Sequence, residues 1–186
     1  MVNQLINIFW TVASFIVVGS YWGEYIAEKE LVWPIYICIV VSILGFLVPD
    51  RWLSTFTLST NPQTYERIGV KVILWFVQNG KLVNRIEQAY GRRARKVTKL
   101  KTIEVFLKTT SIAERYHFSC LIFFGLSTVS ALYTGKIRFA LYIMFWNIIY
   151  NVYPILLQQY IRLRINIIMS RRVCPEHDQH NSPLSS

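Results

Sequence analysis

The feature that most constrains this chain is a set of four long segments that carry almost no charged side chains. They span residues 5–22, 31–48, 118–134 and 137–160. A helix needs roughly 20 mainly apolar residues to cross about 30 Å of hydrocarbon, and these segments are close to that length. The sequence therefore predicts an all-α integral membrane protein with four transmembrane helices, forming one membrane domain over residues 1–172.

Charge is separated from these apolar segments, and its distribution predicts the orientation of the helices. The chain has a net charge of +10, although 53% of its residues are hydrophobic. Thirteen Lys and Arg side chains fall within residues 49–116, whereas the hairpin 23–30 holds three Glu and one Lys. Because strongly basic loops stay in the cytoplasm, we expect a multi-pass protein of the cell membrane. The long loop and both termini, including a flexible tail over residues 173–186, are then cytoplasmic.

The N-terminus has two interpretations, a cleaved signal peptide or a helix that stays as a signal anchor. Residues 1–4 contain no positive side chain, and no clear small-x-small cleavage site follows the apolar segment. The retained helix is therefore favoured.

The spacing of cysteine and histidine predicts neither a disulfide framework nor a metal site. Cys38 and Cys120 lie in apolar segments and Cys174 lies in the tail, so free or buried thiols are expected. His177 and His180 form a His-x-x-His pair, but the tail offers no third ligand.

The long loop contains a segment with apolar residues at helical spacing. Within residues 65–79 these are Ile68, Val72, Trp75 and Phe76. The segment is too short and too charged at its start to cross a bilayer, so a helix lying in the membrane interface is predicted. A re-entrant segment is the alternative.

A dense basic run follows in the same loop. Attraction to anionic lipid headgroups, at about 1 kcal/mol per residue, is the general explanation for such a run. The more specific alternative is a docking surface for an acidic carrier protein or for the phosphates of coenzyme A. No nucleic-acid recognition motif accompanies the charge, so a nucleic-acid partner is not expected. The run consists of Arg92, Arg93, Arg95, Lys96, Lys99 and Lys101.

A cluster of reactive side chains is predicted where the third and fourth helices meet the cytoplasm. Glu114 and His117 are three residues apart, so they share one face of a helix. The fourth helix returns to the same leaflet with Tyr160, Arg162 and Arg164 at its end. The predicted topology thus places both groups at one membrane depth.

Polar residues also recur on one face of the fourth predicted helix. Polar side chains inside a span usually face the interior of the bundle. Their simplest role is to bond neighbouring helices, which is the interpretation favoured for the two asparagines. The stripe consists of Asn147, Asn151, Pro154, Gln158 and Arg162, at steps of four, three, four and four residues.

Three segments carry a likeness to a known family. They read TSIAERYHFSCLIFF over residues 110–124, NVYPILLQQYIRLR over 151–164 and YERIG over 65–69. These segments resemble the glycosyl-4,4′-diaponeurosporenoate acyltransferase family in three motifs. They are a Glu-x-x-His ahead of a hydrophobic helix, an Asn and a Pro ahead of an arginine-bearing helix end, and a Glu-x-x-Gly. The likeness covers residues 50–165.

The chain departs from the family pattern in three places, as a divergent member would. Gln159 stands where the family tends to have Arg, and Ile161 stands where it has Asn. A Trp-Lys pair expected after the interfacial segment is reduced to Gly80-Lys81.

The resemblance implies transfer of a fatty acyl group to a hydroxyl of a glycosylated, carotenoid-like lipid. Acyl-CoA or acyl carrier protein would be the donor, with no bound cofactor and no metal. His117 would be the general base and Glu114 would orient its imidazole. A Cys120 acyl-enzyme is conceivable, but packing is the commoner role of such a cysteine. The residues assigned to substrate, as donors to the developing oxyanion or as phosphate ligands, are Asn151, Gln158, Tyr160, Arg162 and Arg164.

Two other classes of protein remain open at this point. One is a different small membrane transferase or reductase, such as a methyltransferase or a relative of the steroid reductases. A reductase needs nicotinamide, and the chain shows no glycine fingerprint for it. The other is a non-catalytic membrane scaffold whose basic loop adheres to anionic lipid.

Overall fold

The computed structural model of the protein describes residues 2–29, 32–70 and 96–173. The predicted tail beyond residue 173, with Cys174 and the His-x-x-His pair, lies outside the described residues. So do Gly80-Lys81 and the arginines of the basic run. The helices are α1 (Val2–Lys29), α2 (Trp33–Phe46), α3 (Asp50–Thr55), α4 (Pro62–Arg67), α5 (Lys96–Tyr133), α6 (Ile137–Asn147) and α7 (Tyr153–Val173), with a π-helical segment at Ile148–Val152.

The first predicted span lies entirely within α1, but the helix is longer than predicted. It continues through the predicted hairpin to Lys29. The second span is shorter than predicted, since α2 has 14 residues and a length of about 21 Å. Pro34 lies in the first turn of α2, where its missing N–H leaves no helical hydrogen bond unmade.

The third predicted helix begins much earlier than expected. The predicted start lies near Glu114, whereas α5 begins at Lys96 and runs for 38 residues. Residues 96–116, assigned to the cytoplasmic loop, therefore form the first half of this helix. The physical reason is that no Gly or Pro occurs between Lys96 and Gly125, and that Ile103 and Leu107 pack in one cluster with residues of α7.

The fourth predicted helix is interrupted once and also ends later than expected. The N–H of Tyr153 donates to the carbonyl of Ile148, five residues back, which is the bond of a π-helical turn. Pro154 has no N–H to give to the carbonyl of Tyr150, and its ring crowds that carbonyl in an α-helix. The wider turn accommodates the proline, and α7 then continues to Val173.

The predicted interfacial helix does not start as one continuous helix. Asn61 caps α4 by accepting a hydrogen bond from the Gln63 N–H at 2.9 Å. The helix ends at Arg67, and Gly69 adopts a φ of +86°, which glycine tolerates without steric cost. The remainder of the predicted segment, from residue 71 onward, lies outside the described residues.

Two helical stretches, Leu107–Tyr133 and Ile137–Ile167, are long and apolar enough to cross a membrane. The apolar helix α2 is shorter and faces outward with several large side chains, among them Ile37, Val40 and Leu44. Such a continuous exposed apolar surface is suited to hydrocarbon and not to water. The all-α prediction is therefore confirmed for the described residues, and two of the four predicted spans lie in helical stretches that are able to cross a membrane.

Within the described residues, the core consists of two clusters, one on each half of α5. The first cluster joins α1, α2, α6 and the second half of α5, and it is rich in aromatic side chains such as Tyr21, Trp22 and Phe124. The second cluster joins α4, α7 and the first half of α5 around Tyr65 and Tyr160. The candidate site lies between them. The thiols of the described cysteines are free and buried, as the sequence predicts.

Candidate functional site

The site is built around a buried ion pair between the middle of α5 and α7. The Glu114 side chain is only 1% exposed, and both of its oxygens face the Arg162 guanidinium. Nη1 of Arg162 donates to Oε2 at 2.5 Å and Nη2 donates to Oε1 at 3.4 Å. The hydroxyl of Thr57, on the chain between α3 and α4, lies 3.5 Å from Nη2. Such a two-pronged contact fixes the plane of the guanidinium as well as its position.

His117 lies one turn further along α5, with different neighbours. Its Nδ1 atom is buried and has no hydrogen-bond partner. The imidazole packs edge-on against the rings of Tyr116 and Tyr150, with centroid distances of 5.3 Å and 5.5 Å. The polar groups beside it are the Asn151 side chain and the Tyr150 backbone. The carboxylate expected to orient this imidazole, that of Glu114, is bound by a guanidinium instead.

A ladder of amides fixes which atom Asn151 presents at the site. Asn147 Nδ2 donates to the carbonyl of Leu121 at 3.2 Å, and a carbonyl can only accept. Asn147 Oδ1 therefore faces the next residue of the ladder, and Asn151 Nδ2 donates to it at 2.8 Å. This leaves Asn151 Oδ1, buried and without a partner, as an acceptor beside His117. The predicted role of Asn147 as a bond between helices is confirmed.

A chain of hydroxyl groups leads from the site to α1. The hydroxyls of Tyr116 and Tyr150 are 3.1 Å apart, and that of Tyr150 is 2.9 Å from Thr11 Oγ1. A hydroxyl can both donate and accept, so each of these three hydroxyl groups has a hydrogen-bond partner. It ties the first helix to the π-helical segment that holds Asn151.

Tyr160 and Arg164 lie in a second network, which attaches α4 to α7. The Tyr160 hydroxyl donates to Glu66 Oε1 at 2.9 Å, and Arg164 Nη1 donates to the same hydroxyl at 3.0 Å. The guanidinium carbon of Arg164 also lies 5.6 Å from the centre of the Tyr160 ring. Glu66 is the glutamate of the predicted Glu-x-x-Gly. The structure thus gives that motif a definite partner.

The two glutamines of α7 have contrasting surroundings. Gln159 Oε1 accepts from the Leu58 N–H and the Tyr65 hydroxyl, both at 3.2 Å, and its Nε2 donates to the Phe56 carbonyl at 3.3 Å. Gln159 therefore fastens the segment between α3 and α4 to α7. Gln158 is 5% exposed, and its Oε1 has no partner. The predicted inward orientation of the polar stripe is confirmed.

Most of the predicted site residues lie on facing surfaces of two helices. One is α5, and the other is the continuous helix formed by the π-helical segment and α7. Glu114 and His117 come from α5. Asn151 comes from the π-helical segment, and Gln158 and Arg162 come from α7. Sequence reasoning did not assign Tyr150 or Gln159 to the site. Tyr150 gave no signal in the sequence, whereas Gln159 was visible only as a departure from the family pattern.

Comparison with known proteins supports the likeness read from the motifs. The model of the glycosyl-4,4′-diaponeurosporenoate acyltransferase family matches residues 49–171 of this chain. The match includes Glu66, Glu114, His117, Asn151 and Arg162. No match was found among the curated proteins or among the solved structures. Since the family model covers more than half of the chain and all of the site on α5 and α7, the protein belongs to the glycosyl-4,4′-diaponeurosporenoate acyltransferase family.

Proposed function

We propose that the protein transfers a fatty acyl group from a thioester donor to a hydroxyl of a glycosylated, carotenoid-like lipid in the membrane. One observation supports this most directly. A histidine with an unpaired, buried Nδ1 lies beside an amide oxygen of fixed orientation, in a chain that belongs to an acyltransferase family.

His117 acts as the general base in this proposal. Asn151 Oδ1 can only accept, so it favours the imidazole tautomer that carries a proton on the nitrogen facing it. The other ring nitrogen is then an acceptor for the proton of the substrate hydroxyl. In this proposal Asn147 and Asn151 orient the His117 imidazole, the role that was predicted for Glu114.

The reaction balances with the residues of the chain alone. The acceptor oxygen attacks the thioester carbonyl carbon while His117 takes the hydroxyl proton. The tetrahedral intermediate then collapses, the carbon–sulfur bond breaks, and the imidazolium returns the proton to the leaving thiolate. An ester and a free thiol result.

Arg162 stabilises the oxyanion in this scheme. Guanidinium carries five N–H donors, and Glu114 engages Nη1 and Nη2 without using all of them. Donors held in place before the reaction stabilise developing charge better than mobile ones. Glu114 is therefore a positioning residue for Arg162.

The donor is acyl-CoA or an acyl carrier protein, and the basic residues receive its phosphates. Arg164 lies two residues after Arg162 on α7, towards the cytoplasmic side of the predicted topology. The dense basic run adds further charge to the same predicted face. Gln158, with its unpaired Oε1, binds a hydroxyl of the acceptor.

The proposed topology has four spans with both termini in the cytoplasm. Lys136, in the turn between α5 and α6, contacts Glu24 at 2.6 Å and Glu28 at 2.8 Å. The end of α1 and the turn between α5 and α6 therefore lie at one end of the bundle, which fits a topology with both on the same side of the membrane. The excess of Lys and Arg within residues 49–116 supports placing the opposite end in the cytoplasm.

The decisive experiment is acyl transfer by membranes that contain the His117→Ala variant, with a labelled acyl donor. Loss of a general base lowers kcat by about 10²- to 10⁴-fold. His177→Ala makes the same chemical change in the predicted tail and is expected to retain activity. Undiminished transfer by His117→Ala at equal protein level would contradict the proposed role.

A further inference from the structure

A cavity of about 380 Å³, partly open to the outer surface at Gly19, Ile39 and Ile43, lies beside the candidate site, between α1, α2 and the middle of α5. Pockets that bind small ligands have volumes of roughly 300–1,000 Å³, so this one is large enough to hold a ligand. Its principal walls are formed by Phe15, Gly19, Trp22, Ile39, Ile43 and Phe123.

The polar side chains along the cavity are already bonded to other groups. Ser42 Oγ donates to the Cys38 carbonyl at 2.6 Å, and Ser119 Oγ donates to the Ser42 carbonyl at 2.6 Å. Trp22 Nε1 donates to Ser127 Oγ at 3.0 Å. A ligand in the cavity therefore meets mainly aliphatic and aromatic surface, which suits hydrocarbon and disfavours a polar headgroup.

The cavity lies close to the proposed base. Cys120 lines it and is three residues after His117 on α5. Phe15, on the opposite wall, packs edge-on against Tyr150 with a centroid distance of 6.1 Å, and Tyr150 packs against His117. Tyr150 thus contacts both a wall residue of the cavity and the imidazole.

We propose that this cavity binds the alkyl chain of the acyl donor and selects its length. The inference rests on the proposed acyl transfer. An apolar cavity of about 150 Å³ is enough for benzene, so the volume here corresponds to a chain on the order of a dozen carbon atoms. A single flexible fatty acyl chain has this size.

The segments that form much of the cavity lie outside the family match. The walls from α1 and α2 precede residue 49, where the match begins, and only the α5 wall lies within it. The reacting groups therefore come from the family region, whereas chain-length selection comes from the two N-terminal helices of this protein.

Two glycines on α1 provide a matched pair of variants. A Cβ atom at either Gly19 or Gly23 meets no other atom within 4 Å, but only Gly19 lines the cavity. Gly19→Phe is therefore expected to fill part of the cavity, while Gly23→Phe makes the same change one turn away. Both variants gain the same helix propensity, so that effect cancels in the comparison.

The measurement is kcat/KM for a long-chain and a short-chain acyl donor. Preventing burial of only two methylene groups is expected to lower the long-to-short ratio about tenfold in Gly19→Phe. Gly23→Phe should keep the wild-type ratio. An unchanged ratio in Gly19→Phe, or an equal change in both variants, would overturn the proposal.

A binding assay separates this proposal from the proposed function. A photoreactive fatty acid is crosslinked to the purified protein in detergent, and the labelled peptides are identified by mass spectrometry. An alkyl-chain site is supported if α1, α2 and the Phe123 region are labelled, and if this labelling is lost in Gly19→Phe and kept in Gly23→Phe. That result holds even if the protein does not catalyse acyl transfer. Equal competition by a phospholipid would identify an ordinary lipid contact and overturn it.

Discussion

Two glutamate–cation contacts lie at different levels of the helix bundle and differ in their exposure to solvent. Glu114 and Arg162 are 1% and 23% exposed, whereas Lys136 contacts glutamates that are nearly half exposed. Exposed pairs are screened by solvent and contribute little. A buried pair loses the hydration of both charges, so it adds stability only when its geometry is good. The exposed contact joins the end of α1 to the turn between α5 and α6, whereas the buried one fixes a guanidinium inside the candidate site.

The site and the first hydrophobic cluster also differ in how their buried polar atoms are paired. Among the described residues, the buried side-chain atoms without a hydrogen-bond partner are His117 Nδ1, Asn151 Oδ1 and Gln158 Oε1. All three lie on the helices that form the site. In the first cluster, by comparison, the Tyr21 hydroxyl and the Trp22 indole each have a serine partner. Unpaired buried polar atoms lower stability, and in the proposed function the substrate supplies the missing partners.

The largest effect is expected from breaking the buried pair. Glu114→Ala leaves the Arg162 guanidinium partly buried without its carboxylate, which should lower the free energy of unfolding by about 3–5 kcal/mol. Glu24→Ala at the exposed contact is the control. Thermal unfolding in detergent, followed by size-exclusion chromatography, measures both.

A double variant sharpens that prediction. Glu114→Leu combined with Arg162→Met removes both charges, and its unfolding midpoint should lie above that of Glu114→Ala. Acyl transfer should remain lost, because the proposed oxyanion donor is gone. If Glu114→Ala lowers the unfolding midpoint no more than Glu24→Ala does, the buried contact is not the more stabilising of the two.

The next effect concerns the acceptor beside the proposed base. Asn151→Leu should lower kcat about 10- to 100-fold, because the proposed base loses the neighbouring acceptor that favours its productive tautomer. Asn151→Asp keeps an oxygen acceptor beside the imidazole and should retain more activity than Asn151→Leu, although its second oxygen faces Asn147 Oδ1 and lowers the unfolding midpoint. Steady-state kinetics on both variants test this. Equal kcat values for Asn151→Leu and wild type would remove the ladder from the mechanism.

A smaller effect is expected where α7 holds the segment between α3 and α4. Gln159→Leu leaves the Leu58 N–H and the Phe56 carbonyl without this partner, at a cost of about 1–3 kcal/mol. Gln63→Leu, on the exposed side of α4, is the matched control and should be nearly neutral. Unfolding midpoints compare the two. A neutral Gln159→Leu would contradict the fastening role.

The smallest effect is expected at the exposed contact. Lys136→Gln should lower the unfolding midpoint slightly, and high salt should abolish the difference. Hydrogen bonding and charge from Lys136 hold the pKa of Glu28 below its ordinary value of 4.5, and Glu24 and Glu28 raise the pKa of Lys136 above 10.5.

The sign of the pH dependence follows from those directions. The contribution of Glu28 is present above its ordinary pKa and is lost as the pH falls through the lowered value, and that of Lys136 is lost in strongly alkaline solution. Unfolding midpoints of the wild type and Lys136→Gln should therefore converge in acid. A difference that persists there, or in high salt, would show that the contact acts through something other than charge.

Much of the fold was predictable because apolar segments, their lengths and their prolines act locally. The sequence predicted the helical membrane character, the inward stripe of Asn147, Asn151, Gln158 and Arg162, and the family. It did not predict that α5 begins at Lys96, because charged residues at the start of a helix resemble a loop when its packing partners are unknown. The π-helical turn was equally hidden, although Pro154 marks its position.

By itself, the sequence determined which residues are available for chemistry and on which helical face each one lies, since both depend on residue type and on spacing along the chain. Only the tertiary structure decided how these residues pair. Glu114 and His117 are neighbours on one helix, yet Arg162 from α7 binds the glutamate, and Asn151 from the π-helical segment lies beside the histidine. The reason is physical: a buried carboxylate is best matched by an opposite charge. That charge comes from a residue 48 positions away in the sequence, and only the packing of α5 against α7 brings the two together.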